Sequence, residues 1–352
     1  MKLVKIVSVL TMFCGLVCCN AQSKGFRSLS VEEYAKAIAD ASVVRVDVRT
    51  AEEYAEGHIE GAINLDVQKA DFESLAKVTL PKDRTIAVNC RSGKRSKNAA
   101  TLLAKNGYKV IELNKGYTGW ANAQKPVTKE EVDLFVTPTG TLIRMYCIKH
   151  GSLRMQLGDK WIYVDPVTDK VQPVTDYSGM AKADVILITH EHADHLDAKA
   201  IEQLTKPGTV LITNPRSSEQ LQRACEVMKN GESKTVGGLR IDAVPAYNNS
   251  ADKQQFHPKG RDNGYVLSLE GFRIYVAGDT EDIEEMSDVK NIDVCFLPCN
   301  LPFTMTPEQL SKAARVINPK VLFPYHYGQT QIQQVADLLA GSEIEVRIRQ
   351  YQ

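Results

Sequence analysis

The segment His190-Glu191-His192-Ala193-Asp194-His195 follows directly on the apolar run Val185-Ile186-Leu187-Ile188-Thr189. Four potential metal ligands, His190, His192, Asp194 and His195, therefore fall within six residues, at the mouth of what reads as a buried strand. The chain holds only seven histidines, and three of them sit here. Neutral imidazoles and a carboxylate suit Zn²⁺, Fe²⁺ or Mn²⁺. His190 and His192 are two apart, so an extended strand end points both to one side. Asp194 and His195 follow in a turn, where they can face a second metal.

A length of 352 residues predicts two domains. Lys plus Arg and Asp plus Glu balance at 43 each, which removes nucleic acid and an anionic membrane surface from the expected partners. Met1-Lys2-Leu3-Val4-Lys5 is a basic start to the chain. The apolar run that follows, residues 6–17, is well short of the ~20 residues of a membrane span. Small residues allow cleavage after Ala21, so residues 1–21 read as a signal peptide and the protein is expected to be exported, periplasmic or extracellular. A lipoprotein signal is the rival reading, with an acylated Cys19 as the one membrane contact. Cleavage leaves Cys90, Cys147, Cys225, Cys295 and Cys299, an odd number, so at least one stays unpaired. Cys295 and Cys299 read as ordinary buried cysteines.

Residues 26–125 alternate helix-like and strand-like segments, the pattern of a parallel α/β sheet. Ser30 with Glu33 reads as a capping box, Val43–Val48 and 85–90 as strands, and 97–106 as a helix closed by Gly107. Residues 126–140, polar and bearing Pro126, Pro138 and Gly140, read as a linker. From residue 141 to 352 the pattern changes to frequent strands with tight turns. Hairpins are expected over 153–165 and 265–276, with helical stretches at 198–204 and 217–229.

Cys90 ends a strand and precedes Arg91-Ser92-Gly93-Lys94-Arg95-Ser96, a glycine-containing loop that opens a helix. Such a loop turns backbone N–H groups inward beside a helix N-terminus, so it can hold an anion and lower a cysteine pKa. With Asp47-Val48-Arg49, Tyr54, Gly57-His58-Ile59, Gly61-Ala62-Ile63-Asn64 and Lys115-Gly116-Tyr117-Thr118-Gly119-Trp120, residues 26–125 resemble a single-domain rhodanese. The resemblance implies a sulfurtransferase in which Cys90 takes up sulfane sulfur as a persulfide. Arg91, Ser92, Gly93, Lys94 and Arg95 would cradle the donor, or the thiol or cyanide acceptor. Asp47, His58 and Asn64 read as structural. Cysteine phosphatases resemble a Cys followed by five residues and then Arg; here Arg95 comes after four.

The His190–His195 cluster resembles the HxHxDH signature of the metallo-β-lactamase superfamily. Ala277-Gly278-Asp279-Thr280, Pro324-Tyr325-His326-Tyr327-Gly328, Ala183-Asp184 and Tyr163-Val164-Asp165-Pro166 agree with it, over about residues 141–345. The resemblance implies an αββα sandwich. It places His190 and His192 on a first metal, Asp194, His195 and His326 on a second, and Asp279 between them, with two Zn per chain, or alternatively Fe or Mn. It further implies an activated water as nucleophile, its pKa pulled to roughly 7 by the cation charge, and Asp194 as a catalytic residue that orients it or accepts its proton. The family's third His for the first metal is missing where it is expected, after the strand 241–247. Asn248 stands there, and His257 is expected to reach back instead. His150 reads either as a structural residue or as one near the metals. The text is most similar to lactonase-like Zn-dependent hydrolases, acting on small-molecule esters, lactones, amides or phosphodiesters. A persulfide dioxygenase with one Fe²⁺, fed by the rhodanese, is the alternative.

Overall fold

The computed structural model describes residues 25–349; the expected signal segment and Cys19 lie outside the described residues. Among the described residues, no helix is long and apolar enough to cross a membrane.

The first part is a five-stranded parallel sheet in the order Phe26–Leu29, Lys109–Leu113, Thr85–Asn89, Val44–Asp47, Ala62–Asn64. Parallel neighbours need crossovers, and helices supply them. Ser30 caps the first helix, Val31–Ile38, in a full capping box with Glu33. The helix after Cys90 is Lys94–Lys105, three residues earlier than its sequence pattern suggests, so its N-terminus adjoins the Cys90 loop directly.

The second part is two seven-stranded sheets packed face to face. Ile143, Met145, Leu153, Met155 and Ile162 of one sheet meet Ile241, Leu267, Ile274, Phe296 and Phe323 of the other in one buried cluster. The helix Ala198–Leu204 covers the outer face of the first sheet, and Pro307–Ile317 that of the second. This is the expected αββα layering. Both expected hairpins form, Ser152–Leu157 with Lys160–Val164 and Asp262–Leu269 with Phe272–Val276. The helix expected over 217–229 is shorter, Pro215–Leu221. Gln222 turns left-handed (φ 49°) and ends it, and Glu226–Val227 pairs with Ile212 and Thr213 as an edge strand.

Residues 126–140 are not the free linker their composition suggests. Val127–Thr128 pairs with His58–Ile59. Asp133–Val136 is the outer strand beside Leu142–Lys149. That long strand serves two cores through its period of two. Ile143 and Met145 enter the sandwich core, whereas Leu142, Tyr146 and Ile148 pack with Val44, Val46, Val88 and Cys90 of the first part. Arg144, buried on the same side, donates from Nη2 to Val43 O (3.0 Å). The first part thus covers sheet surface that a helix would otherwise protect from water.

Candidate metal centre and candidate sulfur-carrying loop

Every residue of the proposed metal set lies at one edge of the sandwich, where strands end. His190 follows Val185–Leu187, Asp279 follows Phe272–Val276, and His326 follows Val321–Tyr325. The turn after His192 is closed by hydrogen bonds from His195 N and Leu196 N to His192 O (2.9 and 2.8 Å), which brings Asp194 and His195 back over the cluster. His257 arrives from the loop between Leu239–Ala246 and Asp262–Leu269.

The donors form two outer groups, and His190, His195 and Asp279 form a third that spans them. His190, His192 and His257 form one, with His190 Nε2 and His192 Nδ1 3.1 Å apart. Asp194, His195 and His326 form the other, joined by His150. His195 Nε2 and His326 Nε2 are 3.0 Å apart, and Asp194 Oδ2 lies 3.7 and 3.5 Å from them. Asp279 stands between the groups. Its Oδ2 is 3.4 Å from His257 Nε2, and its Oδ1 is 3.5 Å from both His195 Nε2 and His326 Nε2. Bonds of about 2.1 Å in a tetrahedral site give donor–donor edges of about 3.4 Å, so these spacings fit metal ligation. Asp279 Oδ1 is buried and accepts no hydrogen bond, which protein groups alone do not explain.

Asn248 and His257 play different parts in this loop. Its Nδ2 donates to Lys253 O (3.1 Å) and Phe303 O (2.7 Å), so its amide ties down the loop that carries His257. Asn248 N also donates to His257 O (2.8 Å). His257 stands with His190 and His192.

At the other site, Cys90 ends Thr85–Asn89 and is buried, and Gly93 N donates to its Sγ (3.2 Å). Gly93 has φ 94°, and a Cβ there would lie 2.2 Å from Asn114 O, so only glycine fits. Arg91, Ser92 and Lys94 are exposed around the loop. Arg95, expected to help cradle the donor, is also bound to Glu53. Its guanidinium grips Glu53 with two bonds of 2.7 Å, so its charge is already paired with a neighbouring helix. Asp47, His58 and Asn64 are structural as expected. Asp47 holds Arg49 (2.7 Å), His58 lies between Tyr54 O and Glu130 O, and Asn64 Nδ2 donates to Asp47 O and Arg49 O. Cys295 and Cys299 are free and buried, and burial pushes their thiols up, Cys299 to about 12.

Residues 144–326, just over half of the chain, match the Beta-lactamase superfamily domain. The chain belongs to the beta-lactamase superfamily. Residues 30–123 match the Rhodanese-like domain. A UPF0173 metal-dependent hydrolase of Thermococcus kodakarensis is 30% identical over 221 residues, 59% of this chain and 97% of that protein. A crystal structure assigned as a metal-dependent hydrolase of Parabacteroides distasonis is 48% identical with a TM-score of 0.61, covering 63% of this chain and all of that one. Igni18, a metallo hydrolase of Ignicoccus hospitalis, shares the fold at 23% identity and a TM-score of 0.50, over 62% of this chain and 95% of that one. The protein is therefore a metal-dependent hydrolase of the metallo-β-lactamase superfamily with a rhodanese domain.

Within this superfamily member, the supports of the ligands are residues that the sequence did not mark as functional. Asp165 Oδ2 holds His195 Nδ1 (2.8 Å) and accepts from Thr189 Oγ1 (2.6 Å). Thr189 Oγ1 also meets His190 Nδ1 (3.0 Å). Asp262 Oδ2 holds His257 Nδ1 (3.0 Å). Arg261 fastens that loop to Phe256 O, Asp262 and Glu191. Asp165 lay in a segment already noted for its resemblance; nothing in the sequence pointed to Asp262.

The electrostatics agree with a cation site. Burial holds His190 well below its ordinary pKa and lowers His192, so both present neutral lone pairs. Burial pushes His195 down too, but Asp279, Asp194 and Asp165 outweigh it and raise it to about 10. Burial pushes Asp194 up, but His195, His150 and His326 hold its carboxyl well below the usual range. The field that raises His195 is one that attracts positive charge between these groups. Replacing Asp165 with Asn is expected to weaken metal binding at the His195 group about 10–100-fold, and Asp262→Asn to do the same at the His257 group. Titration against a metal buffer measures both.

Proposed function

We propose that this protein is a dinuclear zinc hydrolase joined to a sulfurtransferase. The observation that carries the first half is Asp279, whose two oxygens face different donor groups. His190, His192 and His257 would hold one ion and Asp194, His195 and His326 the other. Bound cations would supply Lewis acidity and lower the pKa of a coordinated water toward neutrality. The chain's own work is orientation. Asp165 and Asp262 fix the tautomers of His195 and His257, leaving Nε2 of each as the free donor atom. Asp194 is the most open of these carboxylates, with its side chain 37% exposed, and it stays ionised beside the place where an ester, lactone, amide or phosphodiester would enter.

For the rhodanese domain, the Cys90 thiolate would attack the sulfane sulfur of thiosulfate. The S–S bond breaks, sulfite leaves with the electron pair, and the resulting persulfide passes its sulfur to cyanide or a thiol, regenerating the thiolate. The closed Cys90 loop at a helix N-terminus supports this. Residues 1–21 would direct the chain out of the cytoplasm, or Cys19 would anchor it to a membrane. The test of the metal reading is the metal content of protein purified without oxygen. About two Zn per chain is expected. One Fe per chain with oxygen uptake on glutathione persulfide would replace the hydrolase reading by a dioxygenase.

A further inference from the structure

Asp194, His195 and His326 are held by one short corner at His150, a residue that the sequence left ambiguous. The strand Leu142–Lys149 ends at His150, which adopts a left-handed backbone (φ 48°), a costly conformation for a residue other than glycine. His150 Nε2 lies 2.9 Å from Asp194 Oδ2. Its ring lies on that of His326, with centroids 3.6 Å apart, and its carbonyl accepts from His326 N (3.1 Å). Gly151 packs so closely that a Cβ there would lie 2.7 Å from His195 Cε1 and 3.4 Å from His326 Cδ2. Ser152 Oγ donates to Asp165 O (2.6 Å), the residue that holds His195. Lys149 Nζ donates to Thr168 O, Val171 O and Pro173 O, which fixes the corner from behind.

This corner therefore touches Asp194, His195 and His326, and the hydrogen bonds and ring contacts of His150 and the close packing of Gly151 all fall on that side of the metal set. Asp194 Oδ2, His195 Nε2, His326 Nε2 and Asp279 Oδ1 already have the spacing of a four-donor set. Those four donors fill a tetrahedral set without His150, whose ring N–H can donate to Asp194 Oδ2 (2.9 Å). We propose that His150, seated by Gly151, is a positioning residue that governs occupancy of the Asp194–His195–His326 subsite alone. A free Asp194 carboxylate would rotate among several orientations. The imidazole N–H selects one, and the ring wall stops His326 from turning away. This inference rests on the two-subsite reading of the metal centre.

The test is Co²⁺ titration of the metal-free full chain, followed by absorption spectra, with melting of the metal-free protein as the fold check. Wild type is expected to take up two Co²⁺ per chain. His150→Ala is expected to bind the first ion as wild type does and the second about 10–100-fold more weakly, with an altered spectrum only for the second. His150→Gln, which keeps an N–H donor, is expected to recover much of that loss, and Gly151→Ala to reproduce it by crowding His195. Unchanged binding of the second ion in His150→Ala, equal loss of both ions, or no recovery in His150→Gln overturns the proposal. If His150→Ala fails to melt cooperatively, the Gln and Gly151 variants decide by the same criteria. A wild-type count of one ion instead overturns the two-subsite reading itself.

Discussion

Asp279→Ala is expected to be the most damaging single substitution in the protein. Both donor groups lose a ligand at once, because Oδ2 serves the His257 side and Oδ1 the His195 and His326 side. Metal content should fall below one ion per chain under conditions that saturate wild type. Metal-ion catalysis is worth several kcal/mol, so hydrolysis of a reporter ester or phosphodiester should fall by roughly three orders of magnitude. The buried carboxylate is also what draws positive charge among these imidazoles, so its loss should release His195 toward an ordinary pKa. His257→Ala, by contrast, should cost one ion, whereas Asn248→Ala should leave all three imidazoles of the neighbouring group in place and loosen only the loop. If Asn248→Ala removes an ion and His257→Ala does not, the assignment of the third imidazole is wrong.

Cys90→Ser is expected to reduce thiosulfate:cyanide sulfur transfer to background. A hydroxyl at that position keeps the Gly93 N–H partnered but forms no persulfide. Folding stability should change by only about 1 kcal/mol, because one weak acceptor replaces another of similar size. Metal content and hydrolysis should stay at wild-type levels, since Cys90 shares no contact with the ligand set. Retention of sulfur transfer would show that another group is the nucleophile. Arg95→Ala is a useful companion. Its guanidinium is paired with Glu53, so its loss should act by loosening the helix that the loop opens rather than by weakening donor binding directly.

Much of the site was legible in the chain because the groups are local. His190, His192, Asp194 and His195 lie on one strand end and its turn, and backbone geometry alone brings them together. Cys90 and its loop are likewise one contiguous segment. Asp279 and His326 were legible only through the resemblance of the segments that carry them. The polar stretch 126–140 hid two short strands for a physical reason. Its Pro, Gly and Thr content describes a surface path, and composition does not record that Val127–Thr128 and Asp133–Val136 find partner strands. The helix at 215 ended early because Glu226–Val227 gained a sheet neighbour, a long-range term that local periodicity does not contain.

The sequence by itself determined the α/β character of the first part, the strand-rich second part, the metal-binding segment and the cysteine loop, since each depends on spacing within a single element. Tertiary structure decided which distant groups meet. It placed His257 beside His190 and His192, set Asp165 and Asp262 behind the imidazoles, turned Arg95 onto Glu53, and brought His150 against Asp194 and His326. Those contacts span from 5 to 176 residues of chain. They follow from packing two sheets and a neighbouring domain around a shared strand, a balance of burial and hydrogen bonding that no segment expresses alone.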